Sequence, residues 1–185
     1  MNILLDFDKT LTKRDTLFGF FVFMSFHSKK RRFLLLPIYT FAMICSYFGF
    51  LSNDYIKMLG VSFFLNGMQV DELTKLSRLY AKKIVFNDLY YSLIKCSEKF
   101  SSVVVATASF SCYVKNCFPD HYVVIGSELS FENGFVTGLA CNNFGSRKLE
   151  VLKRLDLRYD VSISDSSKDE CFNEVSDLFI IRRTD

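Results

Sequence analysis

The chain opens on a short apolar run, Asn2 to Leu5, that stops at Asp6. A run this short, bounded by a polar loop, predicts one buried β-strand. The pattern then changes character. From Thr16 to Val70 only six residues are charged, and eleven of the 21 Phe fall between Phe18 and Phe64. Phe33 to Asn53 is 21 residues without a charge. As one helix it would reach across a bilayer, for which roughly 20 residues suffice. Phe18 to Phe26 is too short to do so alone. Two readings stand. The stretch is the core of a helical subdomain, or it enters a membrane as a helix or helical hairpin. Pro37 would kink such a helix and Gly49 would end or bend it. Shallow insertion fits better than a crossing, because the chain must return to the same side to complete its domain.

Beyond Val70 the apolar residues Leu73, Leu76, Leu79, Tyr80 and Ile84 recur at helical spacing between charges. They predict an amphipathic helix, with another through Leu89, Leu93 and Cys96. After Phe100 come short β-rich runs at Val103–Val105, Tyr122–Ile125, Val161–Ile163 and Leu178–Ile181, with a helix over Arg147–Leu155. Asn133-Gly134 between Phe131 and Phe135 predicts a hairpin turn. Strands alternating with helices imply an α/β class with a mainly parallel sheet. The domain is therefore split: residues 1–14 and 100–185 form the core, and 15–99 form a helical insert, apolar in its first half.

Composition narrows the picture. There are 23 Lys and Arg against 20 Asp and Glu. The basic residues are scattered apart from Lys29-Lys30-Arg31-Arg32, so a nucleic-acid partner is not indicated. The six cysteines form no Cys-x-x-Cys, and the two histidines lie far apart. That argues against zinc and for reduced, buried thiols in a cytosolic compartment. The four-residue apolar start followed by acids is not a signal-peptide pattern. Nothing in the pattern sets an oligomeric state.

The chemistry concentrates where strands end. In open α/β sheets, sites gather at the carboxyl ends of the strands. After the first strand come Asp6 and Asp8. After the second come Thr107, Ala108 and Ser109. After Ile163 come Ser164, Asp165, Ser166, Ser167, Lys168 and Asp169, and Lys148 opens the preceding helix. Four carboxylates at one rim require a cation, and hard oxygen donors favour Mg²⁺. Mg²⁺ with a lysine and a hydroxyl donor suits a phosphoryl group. One aspartate can attack phosphorus, and a second can move the proton.

At these residues the sequence resembles the haloacid-dehalogenase-like phosphatases, in the branch containing phosphoserine phosphatase. Four motifs match in order: Asp6-Phe7-Asp8-Lys9-Thr10, Thr107 in VVVATAS, Lys148 in GFVTGLACNNFGSRK, and Asp165 with Asp169 in SDSSKDE. The resemblance implies a Rossmann-like core with a helical cap inserted after the first strand. It implies Asp6 as nucleophile and Mg²⁺ ligand, and Asp8 as general acid/base with its carbonyl on the metal. Thr107 would bind a phosphoryl oxygen, with Ser109 adding a contact or capping the next helix. Lys148 would neutralise charge, Asp165 would ligate Mg²⁺, and Asp169 would ligate it or orient its waters. Thr10 would support the loop. Lys9 and Ser164 stand where many members have Gly, which changes local backbone freedom. Read without the motifs, each of these side chains has a plainer role: strand-end solvation for Asp6 and Asp8, a turn for Thr107, a solvated charge for Lys148 and a helix N-terminal charge for Asp169. Asp15 reads as structural and His121 as a loop residue.

In this family caps choose substrates. This cap is poor in charge, and its apolar, Pro-containing layout is similar to that of the branch member that dephosphorylates phosphatidylglycerophosphate. An apolar cap beside a basic cluster suits an anionic lipid phosphate at the cytoplasmic face of a membrane, contacted through residues 16–53. The alternatives are a soluble phosphatase of a small metabolite, such as phosphoserine or a sugar phosphate, and a non-catalytic membrane adaptor.

Overall fold

The computed structural model describes residues 1–29 and 32–182, without the side chain of Lys168. Lys30 and Arg31 of the basic cluster, and the Lys168 side chain in the last motif, lie outside the described residues.

The described sheet has six strands in the order β4-β3-β2-β1-β5-β6. These are β1 (Asn2–Leu5), β2 (Ser102–Phe110), β3 (Val123–Glu132), β4 (Phe135–Cys141), β5 (Tyr159–Ser164) and β6 (Ser176–Ile181). All neighbours pair parallel except β3 and β4. β1 lies at the centre, with Leu4 opposite Val104 on one side and Ser162 on the other. Alternation along the central strands divides their side chains between two faces. Ile3, Leu5, Val103 and Val105 join one hydrophobic cluster. Leu4, Val104 and Ala106 join the other, with Leu152 and Phe172. Strands buried on both faces read as unbroken apolar runs, which is what β1 and β2 show; the edge strand β6 is apolar although Leu178, Ile180 and Ile181 are exposed.

β3 begins at Val123 and runs to Glu132, well past the predicted end at Ile125. It exchanges partners midway: Val123 to Ile125 pair with β2, and Glu128 to Glu132 pair antiparallel with β4. Asn133 and Gly134 both take positive φ, at 50° and 81°, which is the turn that two-residue hairpins favour.

Between β1 and β2 the described chain is helical: α1 (Leu17–His27), α2 (Leu36–Tyr47), α3 (Asn53–Gly60), a π turn over Val61–Leu65, α4 (Val70–Ala81) and α5 (Asp88–Lys95). The uncharged stretch is not one long helix. Its first residues form a short 3-10 turn that begins at Arg32. α2 ends at Tyr47, Gly49 turns the chain at φ +82°, and Ser52 caps α3 by accepting from the Tyr55 amide. Pro37 sits in the first turn of α2, where its missing N–H costs nothing, so it starts a helix instead of kinking one. No described helix is long and apolar enough to cross a membrane.

The helical insert shares its core with the sheet. Phe20 and Tyr80 of the insert pack around Tyr113 of α6 (Ser111–Val114), with Phe20 and Tyr113 centroids 4.5 Å apart and Tyr80 and Tyr113 centroids 5.2 Å apart. α7 (Ser146–Arg154) follows β4 and carries Lys148 in its first turn. All six cysteines are unpaired; Cys117 is buried and the other five are half-buried.

Candidate active site

The central strand delivers the first carboxylates. The Asp6 amide donates to the Ile163 carbonyl at 2.9 Å, so the β1–β5 register extends one residue beyond β1 and fixes Asp6 at the sheet's carboxyl rim. The next residue, Phe7, is fully buried and packs edge-on against Phe118. That anchors the loop from below, and Asp6 and Asp8 on either side of it both line one cavity. The loop closes in a tight turn with Lys9 at φ +59°. Thr10 locks it: its hydroxyl accepts from the Asp165 amide at 2.8 Å and lies 3.4 Å from Asp6 Oδ2.

The cavity measures about 170 Å³, and its walls include Asp6, Asp8, Lys148, Asp165 and Asp169. Residues from three separate parts of the chain thus meet at one rim. Lys148 Nζ lies 2.8 Å from Asp6 Oδ1 and 2.9 Å from Asp169 Oδ1. It also sits 5.4 Å from the centroid of the Phe172 ring, a cation–π distance. Gly145, at φ +60°, makes the bend before α7 that brings Lys148 to this place. Asp169 has both oxygens engaged, since Ser164 Oγ donates to Oδ2 at 2.7 Å.

Thr107 and Ser109 occupy a different position from the cavity wall. Both are buried, and Ala108 between them lines the cavity. Ser109 Oγ donates to Asp8 Oδ2 at 2.6 Å, and Thr107 Oγ1 lies 3.4 Å from the same oxygen. Ser109 does not cap α6, whose N-terminal residue has no side-chain cap. Thr16 holds the other oxygen of Asp8 through its amide, at 2.7 Å, and its hydroxyl, at 2.6 Å. Sequence reasoning missed Thr16, Tyr113 (bonded to the Thr16 hydroxyl at 2.8 Å) and Ser164 as partners of the acids. No spacing marks them, because they act through tertiary contact. Asp15 accepts from the Leu17 amide, the structural role expected of it, and also lines the cavity.

Water exclusion dominates the electrostatics. Burial pushes the Asp6 carboxyl up to about 7; the Lys148 ammonium pulls it down, and Asp169 and Asp8 add like charge. Burial also raises Asp8, Asp15 adds repulsion, and the donors from Ser109 and Thr16 offset part of the rise. For Lys148, burial alone would lower the value, but Asp6 and Asp169 outweigh it and keep the ammonium charged. Asp165 is raised by burial, partly offset by Lys9.

Among the described residues, no three His, Cys, Asp or Glu side chains close into a ready-made metal cluster. Mg²⁺ needs no such cage: it usually binds through one or two carboxylates and keeps several waters. Asp6 and Asp165, which line the same cavity, would with the Asp8 carbonyl make an oxygen-only donor set of that kind; Lys148 bonds both Asp6 and Asp169, and Ser164 holds the second oxygen of Asp169.

A second cavity, of about 580 Å³, adjoins the first and shares Asp15, Ala108 and Phe144 with it. Its walls are mostly from the insert: Leu17, Phe18, Tyr39, Met43 and Ile56, with Arg14 and Lys57 as cations. Lys57 is buried and crosses to the core, donating to the Ala108 carbonyl at 2.7 Å, to Ser127 Oγ at 3.1 Å and to Asn142 Oδ1. Asn142 in turn bonds Asp54.

No curated protein matches this sequence. Solved structures match its fold. A HAD family hydrolase from Salmonella enterica serovar Typhi superposes with a TM-score of 0.67 at 10% identity, over 95% of this chain and 60% of that one. A probable phosphoserine phosphatase from Vibrio cholerae gives 0.68 at 14% identity, over 98% and 56%. A phosphoserine phosphohydrolase-like protein from Francisella tularensis gives 0.62 at 16% identity, over 97% and 86%. This chain thus spans less than two thirds of the first two. The profile of the haloacid dehalogenase-like hydrolases matches residues 3–172, nearly the whole chain. On that match, joined to the acids and lysine gathered at the rim of the sheet, the chain belongs to the haloacid dehalogenase-like hydrolase family.

Proposed function

We propose that the chain is a Mg²⁺-dependent phosphomonoester hydrolase that works through an aspartyl phosphate, on a lipid phosphate at the inner face of the cytoplasmic membrane. Phosphatidylglycerophosphate is a substrate of this class. The observation that carries the reading is the pairing of an acid-and-lysine cavity with a larger, mostly apolar one across a shared wall. The phosphate fits the first and the apolar portion of its alcohol fits the second.

Asp6 attacks phosphorus, and the P–O bond to the alcohol breaks as Asp8 gives its proton to the leaving oxygen. Asp8, now ionised, takes a proton from the water that hydrolyses the aspartyl phosphate. The raised value of Asp8 suits a group that must start protonated. Lys148 neutralises charge on Asp6 and the phosphoryl oxygens. Mg²⁺, held by Asp6, Asp165 and the Asp8 carbonyl, would supply further charge neutralisation. Thr107 and Ser109 support Asp8 and would reach a phosphoryl oxygen only by turning from it.

A second reading, a soluble phosphatase of a small metabolite, draws on Arg14 and Lys57 in the larger cavity, which suit an anionic or zwitterionic alcohol. A phosphate-release screen across lipid phosphates, phosphoserine and sugar phosphates, with and without Mg²⁺ and detergent, separates the two. Preference for a lipid phosphate is the expected result, and faster release from phosphoserine would overturn it. Activity persisting in Asp6→Asn, or without Mg²⁺, would remove the catalytic assignment.

A further inference from the structure

α2 is a wall with two apolar sides. Tyr39 and Met43 on its inner side line the larger cavity. On its outer side Ile38, Phe41 and Ile44, with Leu34 of the preceding 3-10 turn and Phe48 and Phe50 after the helix, are 51 to 79% exposed. Leu34, Ile38, Phe41, Ile44 and Phe48 follow one another at intervals of three or four residues, so they form a single stripe that continues into the turn after the helix. Exposed apolar side chains gathered on one outward face, rather than scattered singly, mark an interaction site.

We propose that this outer face of α2, with the turn at Phe48 to Phe50, docks by shallow insertion into an anionic lipid bilayer. Three observations select lipid over protein. First, the face carries no charge, since residues 33–53 contain none. Second, protein interfaces form about one hydrogen bond per 100–200 Å²; the stripe itself is Leu, Ile and Phe, and the exposed hydroxyls beside it, Thr40 and Tyr47, lie at its edge. Third, the only charges from Thr16 to Asn53 are the four basic residues that immediately precede the stripe. Of these, Lys29 is exposed beside Glu72, which accepts from its amide at 2.8 Å, and Arg32 is held by the carbonyls of Phe63 at 3.0 Å and Asn66 at 2.5 Å, so among the described residues Lys29 carries the cationic part of the match. Cations flanking an apolar face match an anionic headgroup layer. α2 is too short and too interrupted to cross, so the geometry points to insertion in the plane of the interface. The helix would then separate lipid on its outer side from the substrate cavity on its inner side. The inference deepens the lipid-phosphate reading, on which its purpose rests; the docking itself does not depend on catalysis.

The test is co-sedimentation of the full chain with vesicles of phosphatidylcholine alone and of phosphatidylcholine with phosphatidylglycerol. The protein is expected to bind the anionic vesicles more tightly than the neutral ones, and less tightly as salt rises. Phe41→Ser combined with Phe48→Ser should weaken that binding about tenfold or more, given the apolar area withdrawn from lipid. Both residues are exposed, and hydrolysis of p-nitrophenyl phosphate, a soluble ester, should be unchanged in the variant, which reports an intact fold. Equal binding by variant and wild type, equal binding to neutral and anionic vesicles, or no vesicle binding would each overturn the proposal. So would a wild-type dimer in sedimentation velocity that the double variant converts to monomer, since a second copy would then cover the face. A chain that binds vesicles but releases no phosphate from any ester keeps the docking face and loses the catalytic reading. The opposite result does the reverse.

Discussion

Lys57 Nζ, on the helical insert, donates to the main-chain carbonyl of Ala108, in the core, at 2.7 Å. The ammonium also bonds Ser127 and Asn142, so one buried side chain ties α3 to the segment that carries Thr107 and Ser109. Lys57→Met keeps the stem but leaves these acceptors short of a donor. An expected loss is about 2–3 kcal/mol of unfolding free energy, read by urea titration. A loss near zero would show that the tie is not structural.

The same lysine predicts a pH dependence. Burial lowers its pKa from 10.5 to about 8, with Asp54 and Asp8 opposing. A lysine whose folded value lies below its unfolded one carries a cost that is full below about 8. The cost fades as pH rises towards 10.5, because the unfolded chain then binds more protons than the folded one. The difference in stability between wild type and Lys57→Met should therefore move in favour of the wild type from pH 8 upward, by on the order of 3 kcal/mol in full. Comparing the two proteins cancels the tyrosines and cysteines that titrate nearby. A flat difference from pH 7 to 9.5 would contradict it.

Ser109 acts through Asp8. Its hydroxyl donates to Asp8 Oδ2 at 2.6 Å and favours the ionised form. Ser109→Ala should raise Asp8 further. On the proposed mechanism Asp8 gives its proton to the leaving alcohol, so the alkaline limb of kcat/KM should shift to higher pH. kcat should fall about tenfold with little change in KM. Lower activity without movement of that limb would leave Ser109 only a packing role.

Legibility in the sequence followed the range of the interaction. The strand at Val103–Val105 was readable because burial on both faces leaves an apolar run, and the one at Val161–Ile163 because β-branched residues alternate with Ser162. The hairpin was readable because Asn133-Gly134 carries its turn chemistry locally. The resemblance to this hydrolase family was readable because its four motifs sit at strand ends and a helix start, and the match over residues 3–172 places the chain in that family. For Phe33 to Asn53, length alone allowed a crossing helix; Gly49 ends the run as its position suggested, while the restart at Ser52 and the placing of Pro37 at a helix start were not legible from hydropathy. Lys57, Thr16, Ser164 and Asn142 were silent, since each is defined by a partner distant in the chain or on another element.

Lys9 offers a test of local strain. It sits at φ +59°, where a side chain is crowded and glycine is not. Lys9→Gly should be more stable than Lys9→Ala by about 1 kcal/mol, because both remove the same charge and only one relieves the backbone. Equal melting temperatures for the two would mean that the loop relaxes without cost.

Gly126 is required for the opposite reason, since its φ is ordinary and the space around it is not. A Cβ there would lie 2.7 Å from the Ser109 carbonyl oxygen and 2.7 Å from the Ser111 nitrogen. Both are backbone atoms and cannot swing aside. The Ser109 carbonyl belongs to the irregular stretch of β2, between Ala106 and Phe110, that aims Ser109 at Asp8, and Ser111 opens α6 directly after it. Gly126→Ala must therefore displace this stretch or β3. It is expected to cost about 1–3 kcal/mol of stability, as overpacking does. If the stretch moves, activity should fall along with the Ser109 contact. Gly126→Ala and Ser109→Ala should then be less than additive in kcat, because either one alone already breaks the bond to Asp8. Fully additive losses would place the damage from Gly126→Ala elsewhere than at Ser109.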